Sequence, residues 1–441
     1  MSSVRHSVAR ASGRFVRVMS MVNALRELAV SGRIWRRLAG GLVVALMFCF
    51  PAIAWSGVPP ACTALIKLMA QQKPGPVFLA SYPTATQVQL KNTAYLYDNA
   101  LATLALIGCK QPKLAARLGA AILIAQNHDR FWHDGRLRNA YVAGPLTSRP
   151  VKLPGWWDAV QQKWVEDRYQ VGSDNGNQAF AMLALLACYQ AGQGSQYLRG
   201  AVRLGAYLAK FFDSHRPAGF TGGTYGEEPR PATDAWKSTE HNADLAAAYQ
   251  RLAVAGGDAR WQRWAQRAAG FVKAMWQPAC GCFAAGLALG AHHPDYLVAT
   301  DAQIFPLLAI EGFAGTYGAK LTKILNLLRH DGGVAYSVAA KGVWTEGTAQ
   351  LALYRQLSGK GVLARKLMRV LAQDRAPDGS YYATGKGALS TGFGLPSDPS
   401  KSRVYFHLPH LGALAWVALA QCGFNPFTLG HHLPRRKISP E

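Results

Sequence analysis

The sequence predicts an all-α protein built as a closed ring of six helical hairpins, an (α/α)6 toroid with short β-hairpin ornaments on its loop face. Three observations predict it. Six times a short polar cluster opens directly into an apolar helix with few charges, and after each of the first five comes an amphipathic helix with basic residues on one face. A helix apolar on most sides is buried on most sides, and one with a single apolar stripe is half exposed; their alternation requires an inner and an outer layer. The clusters around Asp98, Asp174, Glu240, Asp301, Glu346 and His407 advance by unequal steps, which favours a closed ring with variable loops over an open solenoid of fixed repeat. Half of the 441 residues are hydrophobic and no Pro/Ser-rich linker follows Pro59, so one large domain is expected.

Taken in order, residues 1–54 read as an export signal. Eight arginines precede the apolar run from Leu38 to Ala54, which ends in the small-residue pattern Ala52-Ile53-Ala54. An uncleaved membrane anchor is the alternative, since the run approaches the lower limit for a span; Pro51 favours the cleavage region. Either way the catalytic domain, residues 55–424, is expected to be periplasmic or secreted, with residues 425–441 as a basic C-terminal tail. Inner helices begin at Tyr97-Asp98-Asn99, Asp174-Asn175-Gly176-Asn177, Thr239-Glu240-His241-Asn242, Thr300-Asp301-Ala302-Gln303, Thr345-Glu346-Gly347-Thr348 and His407-Leu408-Pro409-His410. Outer helices are expected over 112–126, 196–212, 260–276, 318–330 and 362–373. The sixth inner helix has no downstream partner, so Cys62 to Gln72 is expected to fold back and supply it. All inner helices of such a ring point the same way, which gathers the six polar clusters at one mouth. Val334 to Val338 and Gly379 to Tyr382 are short extended ornaments.

Six cysteines remain after Cys49 in the signal, an even count that permits disulfides in an exported chain. Cys62 with Cys109 would tie the closing helix to the first inner helix; Cys188 with Cys422 is either a second pair or two core thiols. Cys280-Gly281-Cys282 is too tight for a zinc knuckle, and its role is structural. The formal charge is +24; removing the eight arginines and one acid (Glu27) of the leader leaves +17. Such a field concentrates anionic partners. Nucleic acid is excluded as a partner, because the basic residues are spread over outer helices without a recognition motif.

The helix rhythm and the motifs YDNAL, STEHN, TDAQ and WTEGTAQ resemble the six-hairpin glycosidase-like superfamily over roughly residues 60–422. The resemblance implies an (α/α)6 toroid whose funnel face binds and cleaves carbohydrate. It implies a glycoside hydrolase acting on an envelope or extracellular polysaccharide or oligosaccharide, anionic or neutral, with inversion as the superfamily's common outcome. Polysaccharide lyases share related toroids, so a lyase acting on a uronic-acid glycan with Tyr97 or His241 as base is a second reading. A noncatalytic glycan-binding protein of a polysaccharide assembly system is a third.

Glycosidic cleavage uses two carboxyl groups, one protonated and one ionised, and the candidates are Glu240, Asp98, Asp301 and Glu346. Helix capping is the competing account of any one of them, and Thr300 with Gln303 has capping-box spacing. Glu240 is the expected acid, because Glu is not a favoured cap and Trp236, four residues earlier, would exclude water and raise its pKa. Asp98 is the expected base, with Asp301 and Glu346 as rivals. Tyr97, Asn99, Asp174, Asn175, Trp236, His241, Asn242, Gln303, Trp344 and His410 are expected to bind substrate, with Trp156 and Trp157 as further platform candidates. The Gly-rich loop from Thr221 to Glu228 would wall the cleft; it lacks a Walker lysine. Neither His292-His293 nor His407 with His410 has metal-ligand spacing, so no metal and no cofactor is expected, and the membrane is met only through the N-terminal segment.

Overall fold

The computed structural model describes residues 57–288, 291, 293–395 and 398–434. The expected export signal, Cys49, His292 and the last residues of the expected tail lie outside them. Among the described residues there are thirteen α-helices: α1 (Pro60–Ala70), α2 (Leu96–Gly108), α3 (Pro112–Asn127), α4 (Asn175–Gln190), α5 (Ser195–Leu208), α6 (Thr239–Gly256), α7 (Ala259–Ala274), α8 (Thr300–Ala309), α9 (Phe313–Tyr317), α10 (Thr322–Leu327), α11 (Thr345–Leu357), α12 (Gly361–Gln373) and α13 (Leu411–Cys422). None is long and apolar enough to cross a membrane.

Burial follows the residue pattern. In α13 every residue from Leu411 to Ala420 is buried, whereas α12 buries only Ala364, Leu367 and Leu371. Helix α2 packs on α4, α4 on α6, α6 on α8, α8 on α11, α11 on α13, and α13 back on α2. Helices α3, α5, α7, α9 and α12 each pack on the buried helix before them, and α1 packs on α13. The N-terminal segment thus supplies the sixth pair. Gln421 Oε1 accepts from the Ala61 amide at 2.9 Å, and a Cys62–Cys109 disulfide joins α1 to the residue that ends α2.

Two expectations need correction here. The fourth outer helix is two short pieces, α9 and α10, in place of one continuous helix. Gly312 takes a left-handed conformation (φ 79°) ahead of α9, and a side chain at Gly318 would collide with the Tyr354 hydroxyl; the glycines that allow this close approach also break the helix. The tail, expected from residue 425, begins later. Asn425 is fully buried and Phe427 is 1% exposed, with the Phe427 ring 5.5 Å from that of Phe180 and 5.1 Å from that of Phe305. Together with Trp416, 5.7 Å from Phe305, these rings fill the space between the buried helices.

The cysteines follow the first pairing considered. Cys280 and Cys282 form a second disulfide, and Cys188 and Cys422 are free thiols, not a pair. Cys422 Sγ lies 3.3 Å from Cys62 Sγ.

A repeated side-chain clamp sets the entry angle of the buried helices. In five of them the residue four positions beyond the N-cap reaches back to the backbone of a preceding extended segment. The amide oxygen of Asn99 accepts from Leu79 N, that of Gln178 from Leu137 N, that of Asn242 from Phe220 N and that of Gln303 from Phe283 N, while Thr348 Oγ1 accepts from Val334 N. Three of the amides also donate to the carbonyl of the same segment and to that of the N-cap residue. Backbone groups that would be orphaned in the interior are satisfied this way. The small sheets are antiparallel, and the longest pairs Leu389–Leu395 with Asp398–Tyr405.

Candidate active site

Residues from the N-terminal ends of all six buried helices meet at one place. Tyr97 and Asp98 of α2, Asp174 and Asn177 at α4, Glu240 and His241 of α6, Asp301 of α8, Trp344 before α11 and His410 before α13 line a cavity of about 380 Å³. Extended segments complete it: Tyr82, Tyr95, Asp167, Tyr169, Tyr336, and Thr391, Arg403, Val404 and Tyr405 of the long hairpin. That hairpin is seated on aromatic contacts, Phe393 at 6.0 Å from Trp236 and Tyr405 at 5.7 Å from Trp344.

The capping account holds for part of this set. Asp174 is a true N-cap, accepting from Gly176 N at 2.9 Å, and His410 caps α13 through Nδ1. Ser238, not Thr239, caps α6. Asp98, Glu240, Asp301 and Glu346 lie one or more residues inside their helices and are not the N-cap residues; of the four, Asp301 accepts from a first-turn amide, that of Ala302.

The acids form two groups. In one, contributed by α2, α11 and α13, the His410 ring stands between two carboxyls: Nε2 is 3.2 Å from Asp98 Oδ2 and Nδ1 is 3.5 Å from Glu346 Oε1. Tyr82 stacks on the imidazole at 4.3 Å. The approach depends on Gly412, where a Cβ would fall 2.7 Å from Asp98 Oδ1 and 3.2 Å from Glu346 Oε2. Burial disfavours charge on His410, but the Asp98 and Glu346 carboxyls outweigh it and raise its pKa above the ordinary imidazole value. Glu346 is 1% exposed with no hydrogen-bond partner on either oxygen, and burial pushes it up to about 8 in spite of His410.

The second group comes from α4, α6 and α8. Burial, followed by the charge of Asp301, raises Glu240 well above the usual carboxyl range. Asp301 is raised too, chiefly by burial, with the Ala302 amide at 2.7 Å opposing. One turn below Glu240, the buried Asp244 is raised by burial and by Asp301 and Asp174, and its Oδ1 has no partner. His241 Nε2 lies 3.6 Å from Asp174 Oδ1. Helix N-termini favour carboxylates; at Glu240, Asp301 and Glu346 desolvation is the larger effect. The arrangement can therefore hold protonated and ionised carboxyls in one cavity at neutral pH.

Several expected substrate contacts lie elsewhere. Asn99, Asn242 and Gln303 are fully buried and spent on the backbone clamps; Asn175 is fully buried, its amide donating to Thr221 O. Trp236 stands beside His241, ring centres 6.5 Å apart, and is not among the residues that line the cavity. The Gly-rich loop backs the wall by pairing Gly223 with Asp174, and Glu228 is engaged by Arg130 and Arg138. His407 bonds the Thr384 carbonyl. Trp157 is 58% exposed on a separate hairpin (Trp156–Asp158 with Lys163–Val165). Missed from the sequence were Tyr82, Tyr95, Tyr169, Tyr336, Asp244, Arg403 and Tyr405. Of these, only Tyr336 lies in a segment singled out above, the extended piece Val334 to Val338.

The fold is shared with solved glycosidases. A glycosidase solved with glucose superposes with a TM-score of 0.53 at 15% identity, over 82% of this chain and 96% of that one. An α-amylase from Clostridium perfringens gives 0.52 at 10% identity, over 82% and 97%. The GH63 mannosylglycerate hydrolase from Thermus thermophilus, in complex with glucose, gives 0.51 at 14% identity, over 83% and 99%. No protein-family model and no curated protein matches the sequence. The likeness to these solved structures is one of fold.

Proposed function

We propose that the protein is a glycoside hydrolase of (α/α)6 toroid architecture that cleaves a glycan by two-carboxylate catalysis with inversion. The observation that carries this reading is the convergence of Asp98, Glu240 and Asp301 from three buried helices on one aromatic-walled cavity, with Glu346 behind His410. The contact cycle from α2 round to α13 and back supports the toroid, and the solved glycosidases of like fold support the reaction class.

Glu240 acts as the general acid, held protonated by burial and Asp301 until it delivers its proton to the glycosidic oxygen as the C–O bond breaks. Asp98, held by His410 Nε2, takes a proton from the water whose oxygen attacks the anomeric carbon from the other face. Asp301 keeps the proton on Glu240, and Glu346 with His410 positions Asp98. Tyr97, Trp344, Tyr336 and Tyr405 offer flat faces to the sugar, and Asp174 and His241 meet its hydroxyls. A cavity of about 380 Å³ is near the low end of ligand pockets, roughly 300–1,000 Å³, which favours a short glycoside or a chain end over the interior of a polymer. A tyrosinate base, as a lyase would use, is disfavoured: burial raises Tyr82, Tyr97, Tyr336 and Tyr405 well above 10, and nearby carboxyls push the same way. We also propose export through the N-terminal segment, which the disulfides support, since they persist in oxidising compartments.

The test is substitution at the two roles. Glu240→Gln and Asp98→Asn are each expected to lower kcat by about 10² to 10⁴-fold while the protein stays folded and retains its sugar affinity. Turnover at the wild-type rate in Glu240→Gln would remove it from the acid role.

A further inference from the structure

The cavity also holds an arginine that forms no direct ion pair among the described residues. Arg403, an exposed residue on the strand Asp398–Tyr405, lines the same cavity as Asp98, Asp167, Asp174, Glu240 and Asp301. Its guanidinium lies 5.5 Å from the centre of the Tyr169 ring. Among the described residues the side chain makes no ion pair and no hydrogen bond, although five carboxyl groups share the cavity with it. Other arginines of this protein behave differently: Arg130 engages Glu166 and Glu228, and Arg138 engages Asp129 and Glu228. Asp174 and Asp234 act on Arg403 through space, without an ion pair to hold its guanidinium. Arg403 instead keeps five N–H donors in a rigid fork at the cavity, within cation–π range of the Tyr169 ring, and such a fork suits a planar or tetrahedral oxyanion.

Building on the glycosidase reading, we infer that Arg403 is a specificity-determining residue that receives a single anionic oxygen group, a carboxylate or a phosphate ester, carried by the sugar substrate. The acids dictate where that group can lie. An anion set against the proposed base Asp98 would be repelled, so it is accommodated on the hairpin side of the cavity, whose lining includes Thr391, Arg403, Val404 and Tyr405. The neutral part of the sugar then occupies the carboxyl-lined floor. The net positive charge of the whole chain, +24, works in the same direction by concentrating anionic substrates around the protein. The long hairpin thus selects the substrate, while the helix ends carry out the chemistry.

The experiment is calorimetric titration of the full-length protein with glucose, glucuronate and glucose 6-phosphate at low ionic strength, repeated on Arg403→Ala and Arg403→Lys, with sugar release followed separately on glycosides of each. One of the two anionic sugars is expected to bind on the order of tenfold or more tightly than glucose, the effect of a charge-assisted hydrogen bond, and which one it is separates carboxylate from phosphate. Arg403→Ala should abolish that preference and leave glucose affinity within about twofold, and Arg403→Lys should restore part of it. Equal affinity for all three sugars, an equal loss for all three in Arg403→Ala, or no binding of either anionic sugar would overturn the inference. Failure of the glycosidase reading looks different: the anionic preference and its dependence on Arg403 would stand without any sugar release.

Discussion

Glu346 and Asp98 touch the same imidazole but differ in what surrounds them. Glu346, with both oxygens unpaired in the interior, is pushed up to about 8 by burial. Below its ordinary value of 4.5 it is neutral in the folded and unfolded chain alike and costs nothing. As pH rises from about 4.5 to about 8 the unfolded chain ionises first, so the folded state loses stability across that window and no further above it. The melting temperature of Glu346→Gln relative to wild type should therefore climb between about pH 5 and pH 8; a constant offset would show that Glu346 is not held neutral. The same scale shows why sequence reading located the acids but misassigned their neighbours. Asp98 and Asn99 are adjacent in the chain, and one residue turns a helix by about 100°. Asp98 meets the cavity while Asn99 meets the Leu79 backbone. Polarity alone does not distinguish the two.

Helices were the most legible elements, because burial imprints a 3.6-residue rhythm on the chain. The clamp was not read as one, because its partner lies 14 to 41 residues away and the residue type varies between Asn, Gln and Thr. It makes a prediction of its own. Asn242→Leu leaves the Phe220 amide and carbonyl without side-chain partners in the interior, which costs about 1–3 kcal/mol for each unsatisfied group; chemical denaturation should show a loss of that size, while an unchanged midpoint would mean the clamp is replaceable. The hairpin from Leu389 to Tyr405 escaped sequence reading altogether. Its Gly, Ser and Pro content reads as loop, and its order comes from contacts with Trp236, Tyr336 and Trp344, which are tertiary. It also brings Arg403 to the cavity.

At the scale of the whole molecule, the proposed closure of the ring depends on a segment remote in sequence. Helix α1 covers α13 and is tied to α2 by Cys62–Cys109, a link spanning 47 residues, for which loop-closure entropy gives about 4 kcal/mol. The replacement Cys62→Ser with Cys109→Ser should therefore lower unfolding stability by roughly that amount without changing sugar affinity in the folded protein. A fall in affinity that precedes unfolding would instead mean that the cavity itself depends on the link. A partner for the last buried helix was expected from counting amphipathic helices, and α1 packs on α13. Which acids at the helix ends burial holds neutral could not be read from sequence, because burial is a property of the fold.

The most direct measurement incubates the full-length protein with a panel of neutral and anionic oligosaccharides and reads new reducing ends and ultraviolet absorbance together, with Glu240→Gln alongside. The account predicts reducing ends without absorbance from at least one short glycan, lost in Glu240→Gln. Products that absorb in the ultraviolet, formed equally by wild type and Glu240→Gln, would contradict it.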